Sequence, residues 1–115
     1  MKKDNCLFCK IIAGEIPSSV VFENEKVFAF KDINPQATVH IVIVPKDHID
    51  CADDITAGNS CAVAACFEAI PVIAAKAGLA NGYRVINNCK EDGGQSVMHL
   101  HFHLLGGKKL SETIV

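Results

Sequence analysis

Several features are absent from this 115-residue sequence, and each absence excludes a class of protein. No apolar stretch approaches the length that spans a membrane, and no run of lysine or arginine could follow a phosphate backbone. The formal net charge of -2 also argues against a nonspecific nucleic-acid binder. Polar side chains interrupt the first ten residues too early for a signal-peptide core, and repeats are absent. We therefore expect one cytoplasmic domain over residues 1–115, with neither nucleic acid nor membrane as a partner.

What the chain does contain is apolar material and cysteine. Half of the residues are hydrophobic and 21% are charged, a composition that excludes disorder and allows a real core. The six cysteines are expected to be thiols in a reducing compartment, since nothing indicates secretion. Cys6 and Cys9 form a CxxC pair. Two thiolates alone do not complete a tetrahedral zinc site, and a redox role would call for a surrounding βαβ unit.

The hydrophobic periodicity predicts two helices and five strands. A short helix is expected over residues 5–15, with Asp4 or Asn5 as its N-cap and Gly14 at its end, and a long helix over residues 59–77. Strands are predicted at 19–24, 27–32, 40–46, 83–88 and in the last segment, 96–107. This pattern is typical of an α+β fold whose antiparallel sheet is covered on one side by the long helix. Spacing alone leaves the order of the strands open.

Three of the five histidines lie inside the last predicted strand, in a stretch of five residues. His99, His101 and His103 alternate with apolar residues, namely Met98, Leu100, Phe102 and Leu104. A period of two is typical of a strand with one face against a core, so the three imidazoles are expected on the opposite face.

Three interpretations of this row remain open from the residues alone. It is a histidine-rich surface strand, or a metal site, or a row of neutral imidazoles that serve a phosphate. Neighbours on one strand face lie ~6.6 Å apart, so His99 and His101 suit one ion, whereas the outer pair at ~13 Å does not. Phosphate chemistry suits histidine because its pKa lies near working pH and its two nitrogens can play different parts.

Neighbouring residues favour the phosphate interpretation. Gly93 and Gly94 allow backbone N–H groups to approach an anion, and Ser96 adds a hydroxyl donor, although a Gly-Gly pair more often forms only a turn. A fourth histidine, His40, opens a buried strand after a proline-containing loop, and alone it is more often structural than catalytic.

The segment from His99 to Leu105 fits the pattern His-φ-His-φ-His-φ-φ, in which φ is apolar. With the flanking segments FCKIIAGEIPSSVVFENEKVFAFKDINPQATVHIVIVPKDHI, GYRVINN and GGQSV, it resembles the histidine triad (HIT) superfamily. The resemblance covers about residues 5–107 and is closest to the Hint, or protein kinase C inhibitor-like, branch. It implies an α+β fold of one five-stranded antiparallel sheet with one long and one short helix. It also implies a two-fold homodimer in which two sheets join into ten strands.

The resemblance further implies a purine nucleoside phosphoramidase that splits a P–N bond in AMP or GMP derivatives, through a nucleotidyl-histidine intermediate and without a catalytic cofactor. His101 resembles the nucleophile, His103 the phosphate contact and proton donor, and His40 a phosphate-side residue. The implied substrate contacts are Asp32 for the ribose, Asn88, Gly94, Gln95 and Ser96 for the phosphate and leaving group, and Phe30, Ile33, Ile11 and Val42 for the nucleobase.

In bacterial relatives of this kind, the N-terminal CxxC is part of a structural Cys2His2 zinc site, and the resemblance implies such a site here. The matching ligands here are Cys6, Cys9, His48 and His99. The first histidine of the row would then hold zinc, and the other two would remain for phosphate.

Two alternatives to the phosphoramidase remain. A dinucleoside polyphosphate hydrolase of the Fhit type shares the triad, and a nucleotide-binding regulatory protein would turn substrate over only incidentally. The presence of His103 favours hydrolysis, because transferases of the galactose-1-phosphate uridylyl type have Gln there. The tail KKLSETIV lacks the Trp that Hint relatives often carry, which leaves the leaving group open.

Overall fold

A computed structural model describes residues 3–115, so residues 1 and 2 of the expected domain lie outside the described residues. The helices are α1 (Leu7–Ile12) and α2 (Ser60–Lys76), with a 3-10 turn at Ala52–Asp54. The strands are β1 (Val20–Glu23), β2 (Val27–Lys31), β3 (Val39–Pro45), β4 (Tyr83–Ile86) and β5 (Phe102–Gly106). They form one antiparallel sheet in the order β1-β2-β3-β5-β4, which confirms the predicted fold class.

The two faces of the sheet carry different cores. Helix α2 covers one face and buries its predicted apolar stripe, including Cys66 and Ile73, against Ile43 and Leu104. Helix α1 packs on the other face with Phe8 and Cys9, against Phe30 and other residues of β2 and β3. Because side chains alternate along a strand, consecutive residues of β3 and β5 contribute to opposite cores. The sheet therefore presents the even-numbered residues of β3, and the odd-numbered residues of β5, to the α1 side.

The start of α1 differs from the sequence prediction. The N-cap is Cys6, whose Sγ accepts a hydrogen bond from the Cys9 backbone N–H at 3.3 Å, and neither Asp4 nor Asn5 takes that role. The predicted end is confirmed, since Gly14 adopts a φ of 81° that favours glycine. A sulfur cap places the side chains of both CxxC cysteines on the buried side of the helix.

The last strand is shorter than the alternation predicts, because β5 begins only at Phe102. Pairing with β3 extends from Gly106 to Phe102, where Phe102 lies opposite Ile43. Beyond that point, the Leu100 N–H donates to the Ile49 carbonyl at 2.6 Å, outside the sheet. Met98 is 48% exposed, so the prediction that it packs in the core is wrong. Among residues 3–115, no helix has the length and apolar character needed to cross a membrane.

Candidate functional site

The irregular segment before β5 still alternates its side chains between the two faces. Leu100 is fully buried in the core beneath α2, while His99 and His101 point to the α1 side. The Asn87 side chain donates from Nδ2 to the His101 carbonyl at 2.9 Å, and the His99 N–H donates to the Val97 carbonyl. Side-chain and loop hydrogen bonds thus replace the sheet ladder and fix the two imidazoles.

His101 is held as one defined tautomer. Its Nδ1 lies 2.7 Å from the His99 carbonyl, which only accepts, so Nδ1 carries the proton and the lone pair is on Nε2. The Phe8 ring packs edge-on against the imidazole at a centroid distance of 5.0 Å. Burial lowers the pKa of His101, opposed by its hydrogen bond to His99 and the charge of Asp32. A neutral imidazole with a free Nε2 lone pair is a competent nucleophile.

His40 and His103 form a directed hydrogen-bond chain. The backbone N–H of Gln36 donates to His40 Nδ1 at 3.0 Å, so the His40 proton is on Nε2. That Nε2 lies 2.9 Å from His103 Nδ1 and 3.4 Å from Asp32 Oδ2. With His103 Nδ1 as the acceptor, the proton of neutral His103 is on Nε2, available to a substrate.

Both imidazoles of this chain favour the neutral form. Burial lowers the pKa of His103 to about 4, with further lowering by the charges of His101 and His40 and a smaller opposing effect of Asp32. Burial also lowers the pKa of His40, although Asp32 opposes this. At neutral pH, His40 and His103 are therefore uncharged, and the pair can gain a proton when an anion binds beside it.

The CxxC pair, His48 and His99 meet in one buried cluster whose ligand atoms all lie within 4.8 Å of one another. His99 Nδ1 lies 3.3 Å from Cys6 Sγ and 3.5 Å from Cys9 Sγ, and His48 Nδ1 lies 3.4 Å from Cys9 Sγ. Ligand-to-ligand distances in tetrahedral zinc sites are about 3.3–3.8 Å, as the usual Zn–N and Zn–S bond lengths require. The spacing of these four atoms fits one zinc ion.

The tautomers of the two histidines also fit a metal. His99 Nε2 donates to the Pro45 carbonyl at 2.8 Å, and His48 Nε2 donates to Asp50 Oδ1 at 2.5 Å. Each Nδ1 therefore presents a lone pair to the cluster, as in metal sites whose histidines are oriented by hydrogen bonds. The burial that favours neutral His99 lowers its pKa to about 4, despite the opposing bond to Pro45.

A second group, Asp32, His40 and His103, has metal-like spacing but the wrong tautomer. A metal on His40 Nε2 would move the imidazole proton to Nδ1, where the Gln36 N–H already donates. The two clusters are thus distinguished by their hydrogen bonds, which leave lone pairs for a metal in the first and form a proton chain in the second.

A cavity of about 690 Å³ opens beside the proton chain. His40, His103 and Asn88 line it together, as do Arg84 and the C-terminal residue Val115. The structure thus brings Asn88 to the two imidazoles with which the resemblance groups it.

The residues expected at the nucleobase occupy two environments. Ile11, Phe30 and Val42 are buried in one cluster with Phe8, on the α1 side of the sheet. Ile33, by contrast, is 92% exposed in the loop after β2. Asp32, in the same loop, accepts the Asn34 N–H at 2.8 Å through Oδ1. The structure therefore gathers three of the four nucleobase candidates.

Gln95, in the loop before the histidine row, was expected to contact the substrate, but the structure gives it a different role. Gln95 is buried, and its Nε2 donates to the carbonyls of Asp50 and Val97 while its Oε1 accepts the Lys90 N–H. This amide holds the loop in shape. Gly94, with φ 80°, forms its turn.

Ser96 is exposed in the same loop. It lines a cavity with Cys6 and His48, whereas His40 and His103 line another.

Sequence reasoning missed three supporting residues. Asp50 orients His48, Asn87 fixes the His101 carbonyl, and Phe8 packs against the His101 ring. Asp50 is two residues from His48 and carries a visible signal, since metal-ligating histidines usually donate to a carboxylate or carbonyl. The roles of Asn87 and Phe8 depend on contacts between distant segments and have no local signal.

Comparison with known proteins agrees with this geometry. The HIT domain family model matches residues 13–110. The purine nucleoside phosphoramidase of Escherichia coli K12 is 43% identical over 112 residues, which cover 96% of this chain and 94% of that protein. A solved HIT family hydrolase from Clostridium thermocellum is 44% identical, with a TM-score of 0.96 over 99% of this chain and 100% of that one. A histidine triad protein from Clostridium difficile is 48% identical, with a TM-score of 0.94 over 98% and 99% of the two chains. The chain therefore belongs to the HIT domain family.

Proposed function

We propose that this protein is a purine nucleoside phosphoramidase, which hydrolyses the P–N bond of a nucleoside 5′-phosphoramidate. The observation that carries the proposal is the fixed tautomer of His101, whose lone pair is on Nε2 beside a chain of two neutral imidazoles. The similarity to the phosphoramidase of Escherichia coli supports the choice of bond.

In the first step, His101 Nε2 attacks phosphorus, the N–P bond forms and the bond to the amine breaks. An anionic phosphate beside His40 and His103 favours one added proton on that pair, because a nearby negative charge raises an imidazole pKa. The departing amine takes this proton from His103 Nε2. The products of the step are the free amine, a nucleotidyl group on His101 and a neutral histidine pair. The remaining proton of His103 is then on Nδ1, its Nε2 has a lone pair, and the His40 Nε2–H turns to Asp32 Oδ2 at 3.4 Å.

In the second step, water attacks phosphorus and the bond to His101 Nε2 breaks. The proton of the attacking water goes to His103 Nε2, and the nucleoside monophosphate leaves. One difficult displacement is thus divided into two easier ones, with the same imidazole pair as acid and then as base.

We assign substrate binding by the same logic. Asp32 is assigned to the ribose hydroxyls, because its carboxylate is 3.4 Å from His40 Nε2 and it follows the strand that supplies Phe30 to the nucleobase cluster. Asn88 lines the cavity of His40 and His103 and is assigned to the phosphate. The assignment of Gly94 and Ser96 to the phosphate and leaving group rests on the family resemblance alone, because Ser96 lines a different cavity. The nucleobase lies against Ile11, Phe30 and Val42, with Ile33 closing over it from the exposed loop. Gln95 acts through the shape of its loop.

We further propose that Cys6, Cys9, His48 and His99 hold a structural zinc ion, which supplies cross-linking of the fold and no step of the reaction. Its ligands come from α1, the loop after β3 and the segment before β5. The ion would fix α1, and with it Phe8, against the segment that carries His101.

The chain is proposed to be one domain over residues 1–115 and a two-fold homodimer. Strand β4 is an edge of the sheet, and a second β4 paired there would give ten strands. Tyr83 on β4 is 42% exposed and Phe67 on α2 is 47% exposed, as expected for residues that a partner covers. A cytoplasmic location stays a prediction.

The decisive experiment is to mix the protein with adenosine 5′-phosphoramidate, quench rapidly and measure the mass of the intact chain and its tryptic peptides. We expect an adenylyl group on His101 and release of free amine. His101→Ala should abolish the adduct and reduce turnover by several orders of magnitude while AMP still binds, because the other phosphate contacts remain.

His103→Ala is the matched control, since it should slow turnover and still allow an adduct on His101. An adduct on another residue would refute the nucleophile assignment. Faster turnover of diadenosine polyphosphates would identify the Fhit-type alternative, and nucleotide binding without an adduct or turnover would identify a binding protein.

A further inference from the structure

Arg84 on β4 lies on the same face of the sheet as the histidine row. It pairs with Leu105 of β5, and Leu105 also pairs with His40 of β3. Residues that are paired across strands point to the same side, so these three side chains form one line across the sheet. Along β5 on this face, Leu105 follows His103, and His103 follows His101. His103 therefore lies between the nucleophile of the proposed reaction and the line that contains Arg84.

Arg84 gives a fixed positive charge to the cavity beside His40 and His103. Among the described residues that line this cavity, it is the only one with a permanently charged side chain. Arg84 is half-buried, and its Nη2 donates to the Ser111 carbonyl. A carbonyl is neutral and takes one of the five N–H donors of a guanidinium, so this contact leaves the charge and four donors for a ligand.

The geometry of the proposed displacement directs the leaving group towards Arg84. In phosphoryl transfer, the attacking and leaving atoms lie roughly in line with phosphorus. With His101 on one side of phosphorus and His103 as the proton donor to the amine, the amine departs towards the line of His40, Leu105 and Arg84. A substituent on the amine therefore extends towards the guanidinium.

We propose that Arg84 is a specificity-determining residue, which selects phosphoramidates whose leaving amine carries a carboxylate, as in an N-linked amino acid. This inference rests on the proposed phosphoramidase function and specifies its substrate class. A guanidinium pairs with a carboxylate through two parallel hydrogen bonds, a geometry that a lysine ammonium does not reproduce. Its charge also offsets the repulsion between that carboxylate and the anionic phosphate.

The test compares two substrates of nearly equal size, the adenosine 5′-phosphoramidates of glycine and of glycinamide, with the full-length protein. The ratio of their kcat/KM values is measured for the native chain, Arg84→Gln and Arg84→Lys. We expect Arg84→Gln to lower the ratio of glycine to glycinamide by about 10-fold, because the charge-assisted pair is lost and the carboxylate remains. Arg84→Lys should restore only part of the ratio. A general defect in folding lowers both values together and does not change the ratio.

Lys108→Gln is the matched control. It removes one positive charge from an exposed residue that lines a different cavity, so it should leave the ratio unchanged. An equal fall in Lys108→Gln would show a general effect of net charge, and an unchanged ratio in Arg84→Gln would limit Arg84 to its contact with Ser111. Either result would overturn the proposal.

Equilibrium binding separates this inference from the phosphoramidase function. In His101→Ala, which lacks the nucleophile, the Kd of each conjugate is measured by calorimetry with and without Arg84→Gln. We expect Arg84→Gln to weaken binding of the glycine conjugate about 10-fold relative to the glycinamide conjugate. That result supports the role of Arg84 even if the native protein hydrolyses neither conjugate. Equal Kd ratios with and without Arg84 would overturn it, whatever the rate of hydrolysis.

Discussion

The low pKa of His103 makes stability depend on pH in a way that one substitution can isolate. In the folded chain this pKa falls from 6.5 to about 4, chiefly by burial. The unfolded chain therefore binds the proton more readily, and acidification favours unfolding. The stabilisation is present above pH 6.5 and is lost as the pH falls towards 4. Between pH 7 and pH 5, this residue alone should reduce the free energy of unfolding by about 2 kcal/mol.

His103→Gln removes the titrating group and keeps a polar side chain of similar size. We expect the loss of stability between pH 7 and pH 5, measured by urea unfolding, to be about 2 kcal/mol smaller in this variant than in the native chain. Titrating groups that do not interact with His103 contribute equally to both proteins and are removed by the subtraction, whereas His40 and His101, which interact with His103, contribute to the difference. An exposed variant, Lys109→Gln, should behave like the native chain. An equal loss in the native protein and in His103→Gln would refute the buried, neutral state of His103.

Three further outcomes are expected. Asp32→Ala should reduce the preference for ribonucleotides over 2′-deoxynucleotides, measured as a ratio of kcat/KM values, by about 10-fold or more. In the native enzyme a deoxy substrate leaves lone pairs of the Asp32 carboxylate unpaired, and the variant lacks this penalty. An unchanged ratio would count against the ribose contact. Metal analysis of protein purified without chelator or His-tag should find about one zinc per chain, lost in Cys9→Ser, and fully active metal-free native protein would contradict the structural site. Leu104→Ala, at a fully buried position, should lower the free energy of unfolding, measured with urea, by about 2–5 kcal/mol. Val72→Ala, at an exposed position of α2, should lower it far less. Similar losses in the two variants would show that the core is placed wrongly.

The comparison of sequence with structure is clearest at α2 and at β5. The apolar stripe of α2 and the glycine after it are local signals, and both predict the helix to within a residue at each end. The alternation around the histidines correctly separates Leu100 and Leu104 from His101 and His103, since the period of two continues where the backbone leaves the sheet. The point at which pairing stops depends on β3 and the loop after it, so the alternation extended the strand too far.

The candidate site divides in the same way. The residue types and the spacing of the histidine row, by themselves, left three interpretations, namely a surface strand, a metal site or phosphate chemistry. Imidazole suits all three, and strand geometry disfavours one ion for all three histidines. Only the tertiary structure determined which nitrogen of each ring carries the proton. The partners that decide this are Pro45 for His99, the His99 carbonyl for His101 and the Gln36 N–H for His40. All three are backbone groups, which have no side-chain signature in the sequence. Pro45 lies in a distant segment, and the other two, close along the chain, meet the imidazoles only in the backbone conformation that the sheet and its loops impose.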